Sequence, residues 1–198
     1  MSNFYSNSKN VQEIETILSS DRLETYLSLA NFNHTQALVL YRSNILKSHR
    51  FYTILLILEV CLRNKIDICL SKKFGTRWFD GTAILLTSVQ NHSIVELKNF
   101  EKRGQVIASL SFGFWTAFFG KTFEELWRKE LRTIFSTSEA LKRGYIADKL
   151  KNIRILRNRI AHHECILKME LNSLEESAIQ LIQWLSPVAY EWLVFDLL

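Results

Sequence analysis

The residues best suited to chemistry in this chain lie in one nine-residue segment, LRNRIAHHE, at positions 156–164. It contains Arg157 and, five positions later, His162. A histidine can give or take a proton near neutral pH, and an arginine can hold a phosphate group and stabilise charge that builds on it. These two roles suffice to cleave RNA without a metal ion, because its 2′-hydroxyl can act as the nucleophile; DNA lacks that hydroxyl. By spacing alone the signal is weak, since Arg and His five positions apart occur by chance in many helices.

Arg157 also lies where an apolar residue is expected. The segment from Tyr145 predicts a long amphipathic helix, and at about 100° per residue Arg157 falls on its apolar stripe. That stripe is formed by Ile146, Leu150, Ile153 and Ile160. A guanidinium cannot be neutralised and is costly to bury alone, so we expect a partner for it.

Glu59 is the candidate partner, because it lies on the apolar stripe of another predicted helix, with Arg63 one turn later. A Glu–Arg pair at this spacing is usually a solvated surface pair worth a few tenths of a kcal/mol, at most about 0.5. Here the carboxylate stands among apolar positions. We therefore expect Glu59 and Arg63 to line the same cleft as Arg157.

A metal site is the other interpretation of the motif segment, because His162, His163, Glu164 and Cys165 are all potential ligands. Adjacent residues on one backbone rarely converge on a tetrahedral ion, and no CxxC pair completes such a set. The sequence also contains no Gly-rich phosphate loop, no GxSxG and no HExxH motif. We expect neither a metal ion nor a cofactor.

The composition predicts one all-α domain over residues 1–198, with residues 1–10 flexible. Of its 198 residues, 47% are hydrophobic and 23% charged, as in ordinary globular proteins. One proline and six glycines favour long helices over many short strands. The net charge of +5 weakly favours an anionic partner, nucleic acid above all, with an undirected surplus of charge as the alternative.

The sequence favours a cytoplasmic, soluble protein without a membrane partner. Its cysteines, Cys61, Cys69 and Cys165, are odd in number and lack paired spacing, which indicates a reducing compartment. The segment MSNFYSNSKN has no apolar core and so is not a signal peptide. No apolar run reaches the roughly 20 residues that span a bilayer.

Helical periodicity and breaker residues predict eight helical segments. They cover residues 11–18, 21–29, 35–47, 50–73, 82–103, 122–135, 145–161 and 174–198. A capping box at Asp21 and Glu24 would open the second and Asn33 would cap the third, while Gly75 and Gly104 would end the fourth and fifth. The last would break at Ser186 and Pro187. The aromatic stretch LSFGFWTAFFG, residues 110–120, predicts core or interface, with a base-stacking platform as the alternative.

The motif segment resembles a known family. RNRIAHHE is similar to the RxxxxH motif of HEPN-domain ribonucleases, and the fuller string is similar to that of Abi-like (abortive infection) proteins. LEVCLRNKID at 58–67 and LSFGFWTAFFG resemble Abi-like segments in matching order, and LSSDRLETYL and ALVLYRSN at 37–44 also fit, so the resemblance covers nearly the whole chain. Cys165 departs from it, since relatives often carry proline after the glutamate; this affects loop stiffness more than chemistry.

The resemblance implies an all-α, HEPN-like helical bundle with additional helices, which pairs into a homodimer. It further implies a metal-independent endoribonuclease used in bacterial phage defence, with RNA as substrate and a regulatory RNA or protein inhibitor as a further partner. Arg157 and His162 would be the catalytic pair. The supporting positions would be Asn158, His163, Glu59, Arg63 and Asn64. Many HEPN-like domains are inactive scaffolds, so two alternatives stay open: a non-catalytic module that binds RNA or protein, and a purely structural Arg157–Glu59 pair.

Helix geometry predicts that a second subunit contributes to the site. On a continuous helix Arg157 and His162 would point about 140° apart, so they could not face one phosphate from the same helix. Either the helix ends between Ile160 and His162, or the two residues work with copies from a second subunit. We therefore expect dimerisation to complete the site.

Overall fold

The computed structural model describes residues 3–80, 84–97 and 102–198. The fold is all-α, 77% helical, with no strand among these residues. They contain α1 (Ser8–Leu18), α2 (Ser20–Leu29), α3 (His34–Phe74), α4 (Ser88–Glu96), α5 (Arg103–Ser109), α6 (Phe112–Ala117), α7 (Glu124–Lys129), α8 (Arg143–Ala161), α9 (Leu171–Leu185) and α10 (Pro187–Trp192). Short 3-10 helices lie at Asn3–Ser6, Lys121–Phe123 and Leu131–Ile134, and a π-helical turn at Leu193–Leu197. The prediction of an all-α fold is confirmed, while the finer HEPN-like assignment stays a prediction.

Helix α3 is longer than predicted. It has 41 residues and joins the two helices expected at 35–47 and 50–73, because the residues between them, Ser48 and His49, do not break a helix. Its start is as predicted: the Asn33 side-chain oxygen accepts a hydrogen bond from the Gln36 amide at 2.9 Å. Its end is also as predicted, since the next residue, Gly75, has a φ of +89°, which favours glycine.

The N-terminal helices differ from prediction at their starts. Helix α1 begins at Ser8, so the segment 1–10, predicted to be flexible, contains a 3-10 helix and the first turn of α1; residues 1 and 2 lie outside the described residues. Helix α2 begins at Ser20, one residue before the predicted cap Asp21. The N-cap residue is Ser19, which makes no side-chain cap bond. The predicted Asp21–Glu24 capping box is therefore wrong, because Asp21 lies inside the helix.

The middle of the chain is more broken than the periodicity indicates. In the segment 82–103, α4 ends at Glu96 and α5 starts only at Arg103, while residues 82–83 and 98–101 lie outside the described residues. Gly104 lies inside α5 and does not end a helix. The segment 122–135 contains only α7 between two 3-10 turns.

Ser186 and Pro187 break the C-terminal helix as predicted. Helix α9 ends at Leu185 and α10 begins at Pro187. The Ser186 hydroxyl oxygen accepts a hydrogen bond from the Ala189 amide at 3.2 Å. Proline at the first helical position needs no backbone donor, so the two residues end one helix and start the next.

The chain divides into two compact units. The first comprises residues 1–52 and 158–171, and the second comprises residues 53–157 and 172–198. The core of the first unit is built from α1, α2 and the first part of α3. Its buried residues are Val11, Leu23, Tyr26, Ala30, Ala37 and Leu38, and the partly buried Cys165 and Leu167 pack against them.

An aromatic cluster forms much of the core of the second unit. The segment 110–120 supplies its centre, where Trp115, Phe118 and Phe119 are fully buried. Trp78 packs against Trp115 and Phe118 with ring centroids 6.0 and 5.9 Å apart. Aromatic pairs at such distances add to the free energy of burial. The stretch is therefore core, as predicted, and its buried rings offer no platform for stacking bases.

A buried carboxylate anchors the loop that follows α3. Asp67 is 8% exposed; it accepts a hydrogen bond from the Trp78 indole at 2.9 Å and two from the Arg103 guanidinium at 2.5 and 2.7 Å. Arg103 also donates to the Ser71 hydroxyl and to the Thr76 carbonyl, each at 2.7 Å. Buried charge is tolerated when it is paired and hydrogen-bonded in this way. The network ties α3 to α5 within the second unit.

No helix among the described residues combines the length and apolarity that crossing a membrane would require.

We predict that Asp67→Ala lowers the free energy of unfolding by about 2–3 kcal/mol, because it removes the acceptor of the Trp78 indole and the carboxylate partner of the Arg103 guanidinium. Chemical denaturation followed by circular dichroism measures this change. Asp148→Ala removes an equally charged but exposed side chain, and we expect it to change stability by less than about 0.5 kcal/mol. Equal effects of the two variants would contradict a stabilising role for the Asp67 network.

Candidate functional site

Helix α8 carries Arg157 at the edge of its buried face. The buried residues of this helix are Ile146, Leu150, Ile153 and Leu156. Leu156 therefore completes the stripe, whereas Ile160 is only partly buried. The prediction that Arg157 lies on the apolar stripe is wrong by one residue, because Leu156 is buried and the arginine side chain keeps 38% of its surface exposed. A guanidinium at this edge can keep part of its surface in water.

Glu59 of α3 is the ion-pair partner of Arg157. The Arg157 Nε atom and a Glu59 carboxylate oxygen lie 3.6 Å apart, and the Glu59 side chain is 24% exposed. Both residues belong to the second unit. The predicted proximity of Glu59 and Arg157 is confirmed. A half-exposed pair at this distance is worth on the order of 1 kcal/mol, so it orients the arginine more than it stabilises the fold.

Arg63 and Asn64 pair with one another one turn farther along α3. The Arg63 Nε donates a hydrogen bond to the Asn64 side-chain oxygen at 3.2 Å. Among the described residues Glu59 pairs with Arg157 and not with Arg63. The expected three-charge cluster is therefore present as one ion pair, with Arg63 engaged elsewhere.

The end of α8 forms a Schellman cap. The Glu164 amide donates to the Arg159 carbonyl at 2.8 Å, and the His163 amide donates to the Ile160 carbonyl at 3.0 Å. These are the two bonds that define the motif. The helix ends at Ala161, and this agrees with the first of the two geometries expected from the sequence, an end between Ile160 and His162.

His163 takes the left-handed position of this cap, with a φ of +57°. Glycine usually fills it, because a side chain there costs about 1 kcal/mol or more. Arg22 holds the strained residue in place by donating from its Nη1 to the His163 carbonyl at 2.6 Å. Strain of this kind persists only where surrounding contacts maintain it.

Asn44 of α3 holds the backbone that follows the cap. It is 4% exposed; its amide nitrogen donates to the Glu164 carbonyl at 3.2 Å, and its oxygen accepts from the Ile166 amide at 2.8 Å. Both bonds lie within the first unit. Neither Asn44 nor Arg22 was predicted from the sequence to have a role. No local pattern in the sequence marks either residue, because Asn44 stands among other polar residues such as Arg42 and Ser43.

The remaining motif residues lie in the first unit and are solvent-exposed. The side chains of Asn158, His162 and His163 all face solvent. The His162 amide donates to the Asn158 carbonyl at 3.0 Å, so the last turn of α8 positions the backbone of His162. A substrate can reach an exposed imidazole, and proton transfer requires such access.

The described residues contain no group of three or more His, Cys, Asp or Glu side chains that could hold a metal ion. The four potential ligands of the motif therefore do not converge there. At His163 the left-handed backbone conformation ends the helical path, and Cys165 packs against the core of the first unit.

Comparison of the chain with models of protein families, with curated proteins and with solved structures gives no match. The resemblance to Abi-like and HEPN proteins therefore rests on the sequence motifs alone.

We predict that His163→Gly raises the free energy of unfolding by about 0.5–1 kcal/mol, because glycine adopts the left-handed conformation without steric cost. The matched control is His162→Gly. Its backbone is not in the left-handed region, so this change should lower stability by about 0.5–1 kcal/mol. Urea denaturation of both variants measures the contrast, and a loss of stability in His163→Gly would argue against the cap geometry.

Proposed function

We propose that this protein is a metal-independent endoribonuclease in which Arg157 and His162 form the catalytic pair. The observation that carries the proposal is the state of Arg157: it is oriented by Glu59 at 3.6 Å and still keeps 38% of its side chain exposed. A partly exposed guanidinium that a carboxylate orients can bind a phosphate group. The exposed imidazole of His162 directly follows the same helix.

The proposed reaction uses the nucleophile of the RNA itself. His162 removes the proton from the 2′-hydroxyl, and the 2′-oxygen forms a bond to the neighbouring phosphorus. The bond from phosphorus to the 5′-oxygen breaks, and that oxygen takes up a proton from the imidazolium of a second His162. The products are a 2′,3′-cyclic phosphate and a 5′-hydroxyl. Arg157 stabilises the negative charge that builds on the phosphoryl oxygens.

The supporting residues orient the catalytic pair or add polar groups near it in the sequence or on α3. Glu59 orients Arg157, and its carboxylate lies nearest the Nε atom, which leaves the outer guanidinium nitrogens for a phosphate. Asn158 and His163 are exposed polar residues next to the pair in the sequence, and Arg63 with Asn64 adds polar surface on α3. The resemblance to Abi-like proteins extends the proposal to bacterial phage defence, in which a regulatory RNA or protein inhibitor would restrain the activity.

The second candidate is a non-catalytic module that binds RNA or a protein. The same ion pair favours it, because a carboxylate close to Arg157 offsets the positive charge that a transition state would use. A module of this kind would bind its partner equally well with or without His162. The experiment below separates the two functions.

We expect the purified protein to cleave single-stranded RNA in the presence of EDTA and to leave DNA of the same sequence intact. His162→Ala should reduce cleavage about 100-fold or more, the usual scale for a lost general acid–base group. Gel analysis of labelled RNA measures the rate, and chemical analysis of the fragment ends should find cyclic phosphates.

The control variant is His92→Ala, which removes an exposed histidine in α4 that pairs with Glu96. It should cleave at the wild-type rate. RNA that binds tightly but stays intact with both wild-type protein and His162→Ala would favour the non-catalytic module. Cleavage that survives in His162→Ala would refute the proposed mechanism.

We further propose that the active species is a homodimer, since each reaction uses one proton acceptor and one proton donor. Two-fold pairing supplies a second His162 without any additional residue. Cleavage per protomer should then fall as the protein is diluted through its dimer dissociation constant. Sedimentation measured in parallel identifies that range, and full activity in a monomer would exclude a shared site.

A further inference from the structure

A pocket of about 550 Å³ lies within the first unit, beside the cap of α8. Two stretches of chain form it: residues 19–26, from the N-cap into α2, and residues 159–168, from the last turn of α8 onward. The lining residues are Ser19, Asp21, Arg22, Thr25, Tyr26, Arg159, His163, Glu164, Cys165 and Lys168. Arg157 and His162, the proposed catalytic pair, are not among them, so the pocket is separate from the proposed catalytic residues.

Cations outnumber anions in the lining. Arg22, Arg159 and Lys168 carry positive charge, against the carboxylates of Asp21 and Glu164. Arg159 and Glu164 form a long pair at 3.9 Å. Lys168 makes no hydrogen bond or ion pair with any residue that the structure describes. An unpaired ammonium beside arginines favours an anionic ligand.

The two arginines keep donors free for such a ligand. Arg22 uses its Nη1 on the His163 carbonyl at 2.6 Å, and Arg159 uses its Nη1 on the Cys165 carbonyl at 3.1 Å. A guanidinium has five N–H groups in a planar fork. The remaining donors suit the tetrahedral oxygens of a phosphate group.

The N-terminus of α2 adds a second source of positive potential. The helix has 10 residues, and its N-cap Ser19 makes no side-chain cap bond. The first backbone amides of a helix lack partners within it, and they carry a partial positive charge. Ser19, Asp21 and Arg22 belong to the pocket lining, so this helix end favours an anion in the pocket.

Tyr26 is an independent indication that this pocket can bind a ligand. The residue is 1% exposed, and its hydroxyl is the one buried side-chain polar atom without a hydrogen-bond partner among the described residues. Burial, reinforced by the neighbouring Cys165 thiol, raises the pKa of the hydroxyl, which therefore stays protonated and can donate. Unsatisfied buried hydroxyls are costly. A ligand oxygen entering beside Cys165 would accept this bond.

We propose that this pocket binds a phosphate group, held by Arg22, Arg159, Lys168 and the first turn of α2, with the Tyr26 hydroxyl as a further donor. The phosphate would come either from an RNA strand or from a free nucleotide. Because Arg22 and Arg159 also hold the carbonyls of His163 and Cys165, an occupied pocket would stiffen the segment that follows His162. Binding in the pocket does not require cleavage, so it can be measured apart from the proposed function.

The test titrates the His162→Ala protein with inorganic phosphate, with adenosine 5′-monophosphate and with a short oligoribonucleotide. Backbone amide signals of residues 19–22 and 163–168 are followed by NMR. We expect saturable shifts confined to these residues. Lys168→Ala should weaken binding about tenfold, the effect of one lost charge-assisted contact. Lys9→Ala, which removes an exposed lysine of α1, should leave the affinity unchanged.

Tyr26→Phe tests the buried hydroxyl separately. It should weaken phosphate binding while leaving the protein at least as stable, because no existing hydrogen bond is lost. Tighter binding of the oligoribonucleotide than of the monophosphate would identify an RNA strand as the source, and similar affinities would identify a free nucleotide. Absence of shifts at these residues, or equal weakening by Lys9→Ala and Lys168→Ala, would overturn the proposal. Failure of the proposed nuclease would be seen separately, as uncut RNA with wild-type protein.

Discussion

The last backbone carbonyl groups of α8 have no hydrogen-bond donors within the helix. A cap formed by residues of the motif segment supplies two of these donors. Backbone amides of His163 and Glu164 return to the helix, which forces His163 into a left-handed conformation. Arg22 and Asn44 then hold the carbonyls and amides that follow. The exposed position of His162 and the lining of the phosphate pocket both depend on this one chain reversal.

Asp67 and Glu59, two carboxylates of the second unit, lie in contrasting environments. Asp67 is buried and fully engaged by Arg103 and Trp78 at hydrogen-bond distance, an arrangement that stabilises a fold. Glu59 is looser: it lies 3.6 Å from Arg157, and both side chains stay partly exposed. A loose, solvent-accessible pair contributes little to stability. It leaves the guanidinium free to exchange its partner for a phosphate, and this difference makes Arg157, not Arg103, the candidate for chemistry.

Local sequence determined the helical character of the chain and several of its boundaries. Asn33 and Gly75 bound α3, and Ser186 with Pro187 separates α9 from α10, because caps, left-handed glycine and proline act through neighbouring backbone atoms. The density of aromatic side chains in 110–120 likewise predicted a buried segment, since such a surface is too apolar for water. The motif could be recognised from the sequence for the same reason, because its residue types and their spacing are local features of the chain.

Tertiary structure alone decided which residues meet. Leu156, rather than Arg157, completes the buried face of α8, because packing selects the face and one residue changes it by about 100°. Glu59 pairs with Arg157 and not with the nearer Arg63, and Asn44 bonds to a backbone 120 positions away. Residues distant in sequence bury Tyr26, whose hydroxyl has no hydrogen-bond partner among the described residues. Periodicity predicts which face of a helix is apolar. Which residues form pairs across the chain depends on how the helices pack, and no local sequence pattern determines that packing.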